Sequence, residues 1–228
     1  MSSFLVMKKK GLKIYLFRHG ESEYNRDHRF TGWKDAKLTK KGIRHAKKIA
    51  RKLKGKRIDV AVHTSLSRSI DTLEPVLESH PECHLILEDD RMIERSYGIL
   101  EGMTHEEFIK KIGNKEYDLV VHGDAIENIL SKRLIRRMKK FLGENEYNAI
   151  HRGYKVKALN GESFYDVEKR VRSFIKDLKS MMREYNVNVA ISAHGNSIRL
   201  FRMIMEKATV KEMQSWFIPY DKVFEYTI

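Results

Sequence analysis

The sequence predicts an α/β fold, a three-layer sandwich in which a mainly parallel sheet is flanked by helices. Short apolar segments have the composition of strands that are buried on both faces. Segments with helical periodicity lie between them, and this alternation is typical of a parallel sheet covered on both sides. Polar, reactive residues follow each apolar segment directly, which predicts a site at one edge of the sheet.

The predicted elements are separated along the chain. The strands span residues 13–17, 58–62 and 188–193, and the helices span residues 42–53, 68–77 and 164–185. An amphipathic spacing is clear in the first helix, whose apolar face is formed by Ile43, Ala46, Ile49, Ala50 and Leu53.

Composition limits the class of protein. The 228 residues include 45 basic and 31 acidic ones, so the formal net charge is +14. A field of this sign attracts phosphorylated metabolites, nucleic acid or anionic lipid without choosing among them. The single cysteine, Cys83, excludes an internal disulfide. The N-terminal apolar run is too short for a signal peptide, and no segment reaches the roughly 18 apolar residues of a membrane span, so we expect a cytoplasmic protein without a membrane partner.

We expect one domain over residues 1–228, with a variable excursion at about 103–160 over the edge or mouth of the sheet. The excursion contains a basic segment, 132–140, that we interpret as an amphipathic helix with Leu134, Met138 and Phe141 on its apolar side. Such a basic face is typical of a solvated surface, and binding of nucleic acid or an acidic surface is the alternative. We expect no nucleic-acid partner.

Reactive side chains follow the three predicted strands. Arg18 and His19 follow the first strand, Arg68 lies just beyond the second, and His194 follows the third. Because the carboxyl ends of parallel strands meet at one crevice, these side chains should lie together. The two guanidinium groups match phosphate oxygens, and the imidazole of His194 adds a charge or a hydrogen bond. Together they would form an anion clamp without a metal.

Phosphoryl transfer also needs a nucleophile with a free lone pair and an acid for the leaving oxygen. His19 could be the nucleophile if one ring nitrogen donates to a backbone carbonyl and leaves the other exposed. Gly20 would permit the tight turn that exposes the ring. Glu94 is the candidate acid, which would donate a proton to the leaving oxygen and then deprotonate the next acceptor.

Several of these segments resemble the motifs of cofactor-dependent phosphoglycerate mutases, a family of the histidine phosphatase superfamily. The opening motifs are Leu-Phe-Arg-His-Gly-Glu-Ser-Glu-Tyr-Asn at 16–25 and Phe-Thr-Gly-Trp at 30–33. Further matching segments are 38–42, 64–69, 94–102, 161–163 and 193–199. The resemblance covers most of the chain apart from about 103–160, and it implies a phosphoglycerate-mutase-like fold.

The resemblance implies that His19 is the phosphorylated nucleophile and that Glu94 is the acid and base. It places Arg18, Asn25, Arg68 and His194 around the phosphoryl group, with Ser22, Thr31, Gly32, Tyr97 and Asn196 in contact with substrate or phosphate. The implied reaction interconverts 3-phosphoglycerate and 2-phosphoglycerate, in glycolysis and gluconeogenesis, after 2,3-bisphosphoglycerate has primed the histidine. A small phosphorylated metabolite is the implied ligand, no metal is implied, and related mutases often form homo-oligomers.

The chain departs from the mutase pattern at two substrate-binding positions. His105 stands where mutases usually carry a lysine, and it lacks a permanent charge near neutral pH. The segment His151-Arg152-Gly153-Tyr154 resembles the usual Arg-Arg-Gly-aromatic segment with one arginine lost, so Arg152 is the candidate substrate-binding arginine.

The end of the chain resembles the last strand of the family with nothing after it, where mutases often carry a mobile tail. Absence of a tail would let water take the phosphoryl group from His19, so hydrolysis of a small phosphate ester is the alternative function. A third alternative is a non-catalytic module that binds anions or nucleic acid on the same fold.

Overall fold

The computed structural model describes residues 11–120 and 132–228. Within these ranges, five strands form one sheet with the order β3-β2-β4-β1-β5. They are β1 (Lys13–Arg18), β2 (Val60–His63), β3 (Leu85–Glu88), β4 (Val189–Ala193) and β5 (Val223–Thr227). The strands β1 to β4 are parallel to one another, and β5 is antiparallel to β1. The predicted α/β fold with a mainly parallel sheet is confirmed.

Helices connect and cover these strands. They are α1 (Glu23–Arg26), α2 (Lys40–Leu53), α3 (Ser67–Glu78), α4 (His105–Val120), α5 (Lys132–Arg152), α6 (Phe164–Tyr185), α7 (Gly195–Glu206) and α8 (Val210–Ser215). The predicted helix 164–185 has the bounds of α6, because Ser163 and Asp166 form a capping box and Asn186 ends the helix in the left-handed conformation. The predicted strands match β1, β2 and β4, whereas the edge strand β3 was missed.

The side chains of β1 alternate between two apolar cores, as the period of a strand requires. Ile14 and Leu16 pack in the core formed with α6 and α7. Tyr15 and Phe17 pack on the opposite face, in the core formed with α2 and α3. Helices therefore cover both faces of the sheet, and the predicted three-layer arrangement is confirmed.

The excursion at about 103–160 includes the helices α4 and α5, which pack against each other at two glycines. A Cβ atom on Gly113 would lie 1.9 Å from the carbonyl oxygen of Lys139, and one on Gly143 would lie 2.0 Å from that of Ile109. This close approach selects the buried face of α5. The apolar side predicted for segment 132–140 is therefore wrong, because Phe141 is 61% exposed, Leu134 is 40% exposed and Met138 is only half-buried.

Among the helices of residues 11–120 and 132–228, none is long and apolar enough to cross a membrane.

Candidate active site

A cavity of about 360 Å³ lies beyond the carboxyl ends of β1 and β4. The residues predicted for the site that line it are Arg18, Asn25, Thr31, Gly32, Glu94, Tyr97, Arg152 and Asn196. His19, Arg68 and His194 lie behind this surface, and each is at most 2% exposed. Ser22 is also buried, and its hydroxyl caps α1 at Asn25, so the structure gives Ser22 a positioning contact with a cavity residue.

We call Arg18, His19, Arg68, Glu94 and His194 the inner wall of this cavity. The backbone N–H of His19 donates to the carbonyl oxygen of Ala193 at 2.9 Å, which ties the end of β1 to the end of β4. Nδ1 of His19 lies 2.6 Å from the carbonyl oxygen of Gly20. Because a carbonyl only accepts, Nδ1 carries the proton and Nε2 keeps its lone pair.

Burial lowers the pKa of His19 well below its ordinary value, and the guanidinium groups of Arg68 and Arg18 lower it further. The imidazole is therefore neutral near pH 7. Glycine is required at position 20 for a reason other than the predicted tight turn, because Gly20 is not among the glycines with positive φ. A Cβ atom there would lie 2.3 Å from the carbonyl oxygen of Gly42, so close packing excludes a larger residue.

Backbone carbonyls orient both arginines of the inner wall. Nη1 of Arg18 donates to Ile218 at 3.0 Å. Arg68 donates from Nη2 to Gly32 at 2.8 Å and from Nη1 to Lys34 at 2.9 Å. Burial lowers the pKa of Arg68 to about 10, which leaves the group charged near pH 7. Nε of each arginine is buried without a hydrogen-bond partner within the described ranges, as a donor kept for a ligand would be.

His194 lies beside His19, with ring centroids 5.0 Å apart. Its Nε2 is 2.8 Å from Oγ1 of Thr64, while Nδ1 is buried and unpaired within the described part of the chain. Burial lowers the pKa of His194 well below its ordinary value, and Arg68 and His19 lower it further. Of the two contributions expected from this imidazole, a hydrogen bond is therefore favoured over a charge.

Glu94 is held at the cavity by its backbone and by one carboxylate oxygen. Oε1 accepts from the N–H groups of Arg95 at 2.8 Å and Asn196 at 3.1 Å. The guanidinium of Arg170 donates to the carbonyl oxygen of Glu94 at 3.0 Å and forms an ion pair with Glu162 at 2.9 Å. These contacts fix Oε1, whereas Oε2 has no hydrogen bond to the described residues.

We call His105, His151 and Arg152 the outer wall of the cavity. His105 is the first residue of α4, and the other two are the last residues of α5. Burial lowers the pKa of His105 to about 4. Burial, followed by the charges of Arg95 and Arg152, lowers the pKa of His151 to about 3. Arg152 therefore carries the only permanent charge of the outer wall, and its Nη1 donates to the carbonyl oxygen of Gln214 at 2.9 Å.

The sequence analysis missed other residues that line or support the cavity. Arg199 lines it and donates to Oδ1 of Asn196 at 2.7 Å. Its position three residues after Asn196 on one helix face could have revealed it. His28 also lines the cavity, in the left-handed region at φ 51°. Arg95 is 1% exposed and donates to the Tyr97 hydroxyl at 2.9 Å, and no sequence pattern points to that role.

Across residues 11–120 and 132–228, no group of three or more His, Cys, Asp or Glu side chains is arranged to hold a metal ion. The cations of the cavity are arginines, which suit oxyanions.

A model of the histidine phosphatase superfamily (branch 1) matches residues 14–144 and 132–227. The chain is 33% identical over 210 residues to the 2,3-bisphosphoglycerate-dependent phosphoglycerate mutase of Buchnera aphidicola subsp. Acyrthosiphon pisum (strain APS), covering 91% of this chain and 89% of the relative.

Two solved structures are similar in fold. The mycobacterial glucosyl-3-phosphoglycerate phosphatase has a TM-score of 0.65 at 22% identity, over 90% of this chain and 87% of that chain. The phosphoglycerate mutase from Bacillus anthracis str. Sterne has a TM-score of 0.61 at 19% identity, over 88% of this chain and 83% of that chain. With the family match and the inner wall taken together, the chain belongs to branch 1 of the histidine phosphatase superfamily.

Proposed function

We propose that this protein interconverts 3-phosphoglycerate and 2-phosphoglycerate through a phosphohistidine on His19. The observation that carries the proposal is the neutral imidazole of His19, whose Nδ1 donates to the carbonyl oxygen of Gly20 and whose Nε2 keeps a lone pair beside two arginines. Nucleophilic attack on phosphorus requires such a lone pair. The unpaired Nε groups of Arg18 and Arg68 are donors for the equatorial oxygens of the phosphoryl group.

The proton transfers are assigned to Glu94. When Nε2 of His19 attacks phosphorus, the ester P–O bond breaks and the leaving oxygen takes a proton from Oε2 of Glu94. In the return step the carboxylate takes the proton of the attacking hydroxyl, the new P–O bond forms and the N–P bond breaks. The contacts of Oε1 with two backbone N–H groups support this role, because they hold the carboxyl group while Oε2 changes its protonation state.

Further arginines on the cavity surface indicate that the substrate carries a second anionic group besides the transferred phosphoryl group. Arg152 and Arg199 line the same cavity as Arg18, and burial, followed by the charge of Arg152, lowers the pKa of Arg199 to about 10. These two arginines would hold the carboxylate of a phosphoglycerate or the second phosphate of 2,3-bisphosphoglycerate. When bound, 2,3-bisphosphoglycerate supplies the phosphoryl group that primes His19.

The second candidate function is hydrolysis of a small phosphate ester. The outer wall favours hydrolysis, because His105 and His151 are neutral near pH 7. They would bind the carboxylate of a phosphoglycerate more weakly than two cationic side chains at these positions. In that case a water molecule attacks the phosphohistidine in place of the hydroxyl group of a phosphoglycerate.

The test follows 3-phosphoglycerate by phosphorus NMR with and without trace 2,3-bisphosphoglycerate. Formation of 2-phosphoglycerate that depends on the bisphosphate, with little free phosphate, is the expected result. Free phosphate without isomerisation would replace the proposal with the phosphatase. If neither product forms, phosphoglycerate is not the substrate, and other phosphate esters should be tested on the same chain.

A further inference from the structure

An aromatic ring covers the inner wall from the segment between α8 and β5. The ring of Tyr220 stands edge-on to the imidazole of His19, with centroids 6.4 Å apart. The guanidinium carbon of Arg18 lies 4.1 Å from the centroid of the same ring. The ring of His45, on α2, is stacked on Tyr220 at 5.2 Å with an interplanar angle of 2°. Tyr220 is half-buried and lines the cavity, whereas His19 is only 2% exposed.

Hydrogen bonds and an ion pair hold this segment in place on both sides of the ring. The guanidinium of Arg18 donates to the carbonyl oxygen of Ile218 at 3.0 Å, and that of Arg199 donates to Trp216 at 2.9 Å. On the other side of Tyr220, Asp221 forms an ion pair with Lys48 of α2 at 3.4 Å. The ring is therefore a fixed part of the cavity surface.

The position of the ring matters because a phosphohistidine has two competing fates. The N–P bond breaks when an alcohol oxygen attacks phosphorus, or when a water oxygen does, and in both cases the attacking O–H loses its proton to the Glu94 carboxylate. The two reactions differ only in the acceptor that reaches phosphorus. An apolar ring beside the imidazole excludes water while leaving the rest of the cavity to a bound acceptor.

We propose that Tyr220 determines acceptor selectivity, favouring transfer to a bound alcohol over hydrolysis by shielding the phosphorylated His19 from water. The inference rests on the proposed phosphohistidine. The effect belongs to the ring and not to the hydroxyl, because the Tyr220 hydroxyl forms no hydrogen bond with the residues that the structure describes. Tyr220 is thus a positioning and shielding residue.

The experiment labels the full chain with 2,3-bisphosphoglycerate carrying radioactive phosphorus, removes the excess, and measures the half-life of the protein-bound label in buffer. Labelled chain is also mixed with 3-phosphoglycerate, and the fraction of label released as free phosphate is counted. Tyr220→Ala should shorten the half-life roughly tenfold and raise that fraction, while Tyr220→Phe should stay within about twofold of the unchanged chain. Tyr185→Ala is the matched control, because Tyr185 is 66% exposed at the end of α6.

Equal half-lives for the unchanged chain and Tyr220→Ala would overturn the inference and leave the phosphohistidine intact. A Tyr220→Phe variant that behaves like Tyr220→Ala would overturn the role of the ring. If Tyr220→Ala does not fold, His45→Ala, which removes the ring stacked on Tyr220, must shorten the half-life, and an unchanged half-life there would overturn the inference. Failure of the unchanged chain to take up label would overturn the proposed function itself, and with it this inference.

Discussion

The inner and outer walls of the cavity are built in different ways. Arg18, His19 and His194 lie at the ends of the central strands β1 and β4, and hydrogen bonds to the backbone or to a neighbouring hydroxyl hold them. His105 and His151 lie at the ends of two helices, among aromatic rings. The ring centroid of Tyr147 lies 5.0 Å from that of His105 and 5.1 Å from that of His151. In the inner wall, the Nε donors of Arg18 and Arg68, which have no hydrogen-bond partner among the described residues, lie near the imidazole of His19. In the outer wall, the neutral rings of two histidines accompany one charged side chain, that of Arg152.

The proposed function assigns the reaction to the inner wall and the choice of substrate to the outer wall. Donors at strand ends can stabilise any transferred phosphoryl group, because every phosphate monoester presents the same oxygens. In the proposed reaction, the helix ends would face the part of the ester that varies between substrates. Substitutions in the inner wall should therefore affect every substrate, whereas substitutions in the outer wall should change the preference among them.

The largest expected effect comes from His19→Ala, which removes the nucleophile. Turnover of any phosphate ester should fall at least about 10⁴-fold, because the lone pair that would attack phosphorus is removed. Steady-state phosphate release and mutase assays measure it, with His84→Ala as a control at an exposed histidine. Substantial residual turnover in His19→Ala would contradict the assignment of the nucleophile.

A smaller loss is expected for Glu94→Gln, on the order of 10² to 10⁴-fold in the rate of phosphoryl transfer. The glutamine oxygen can still accept from the N–H groups of Arg95 and Asn196, so the fold should be preserved. Single-turnover labelling of His19 measures the rate, and circular dichroism checks the fold. An unchanged rate would mean that another acid protonates the leaving oxygen.

In the outer wall, Arg152→Gln should raise KM for 3-phosphoglycerate about tenfold and change kcat by less than about twofold. The reason is that Arg152 would contact the part of the substrate that does not react. Arg183→Gln, at an exposed position on α6, is the matched control. If kcat falls as much as kcat/KM, Arg152 acts on the transferred phosphoryl group and the separation of the two walls is lost.

The smallest expected effect is on stability and concerns the neutral histidines. Their pKa values in the folded chain are lowered, to about 4 for His105 and about 3 for His151. The unfolded chain therefore binds more protons below about pH 6.5, and the free energy of unfolding should fall as the pH is lowered from there.

Each of these two histidines should contribute a slope of at most about 1.4 kcal/mol per pH unit, and His19 and His194 contribute in the same direction. Urea unfolding at about pH 5 and about pH 7 measures the slope. The double variant His105→Gln, His151→Gln should have a shallower slope than the unchanged chain. Equal slopes would show that the outer-wall imidazoles are protonated in the folded chain.

Strand periodicity and the position of reactive residues after strands were enough to predict the centre of the sheet and most of the inner wall. That prediction works because a side chain at a strand end moves little relative to the strand itself. Glu94 lies in a loop, and its place at the cavity depends on Arg170 and on the N–H of Asn196, so no strand end predicts its position. It was predicted as the candidate acid from the needs of phosphoryl transfer, and the resemblance implies the same role. The resemblance also pointed to Ser22, which caps a helix beside the cavity.

Local period and strand direction are enough to predict the α/β fold, the two buried faces of β1 and the meeting of Arg18, His19 and His194. Tertiary structure alone decided the buried face of α5, through the close contact of Gly143 with α4. It also placed Tyr220 over Arg18, two residues separated by most of the chain. Such contacts depend on how distant segments pack, and no local pattern in either segment encodes them.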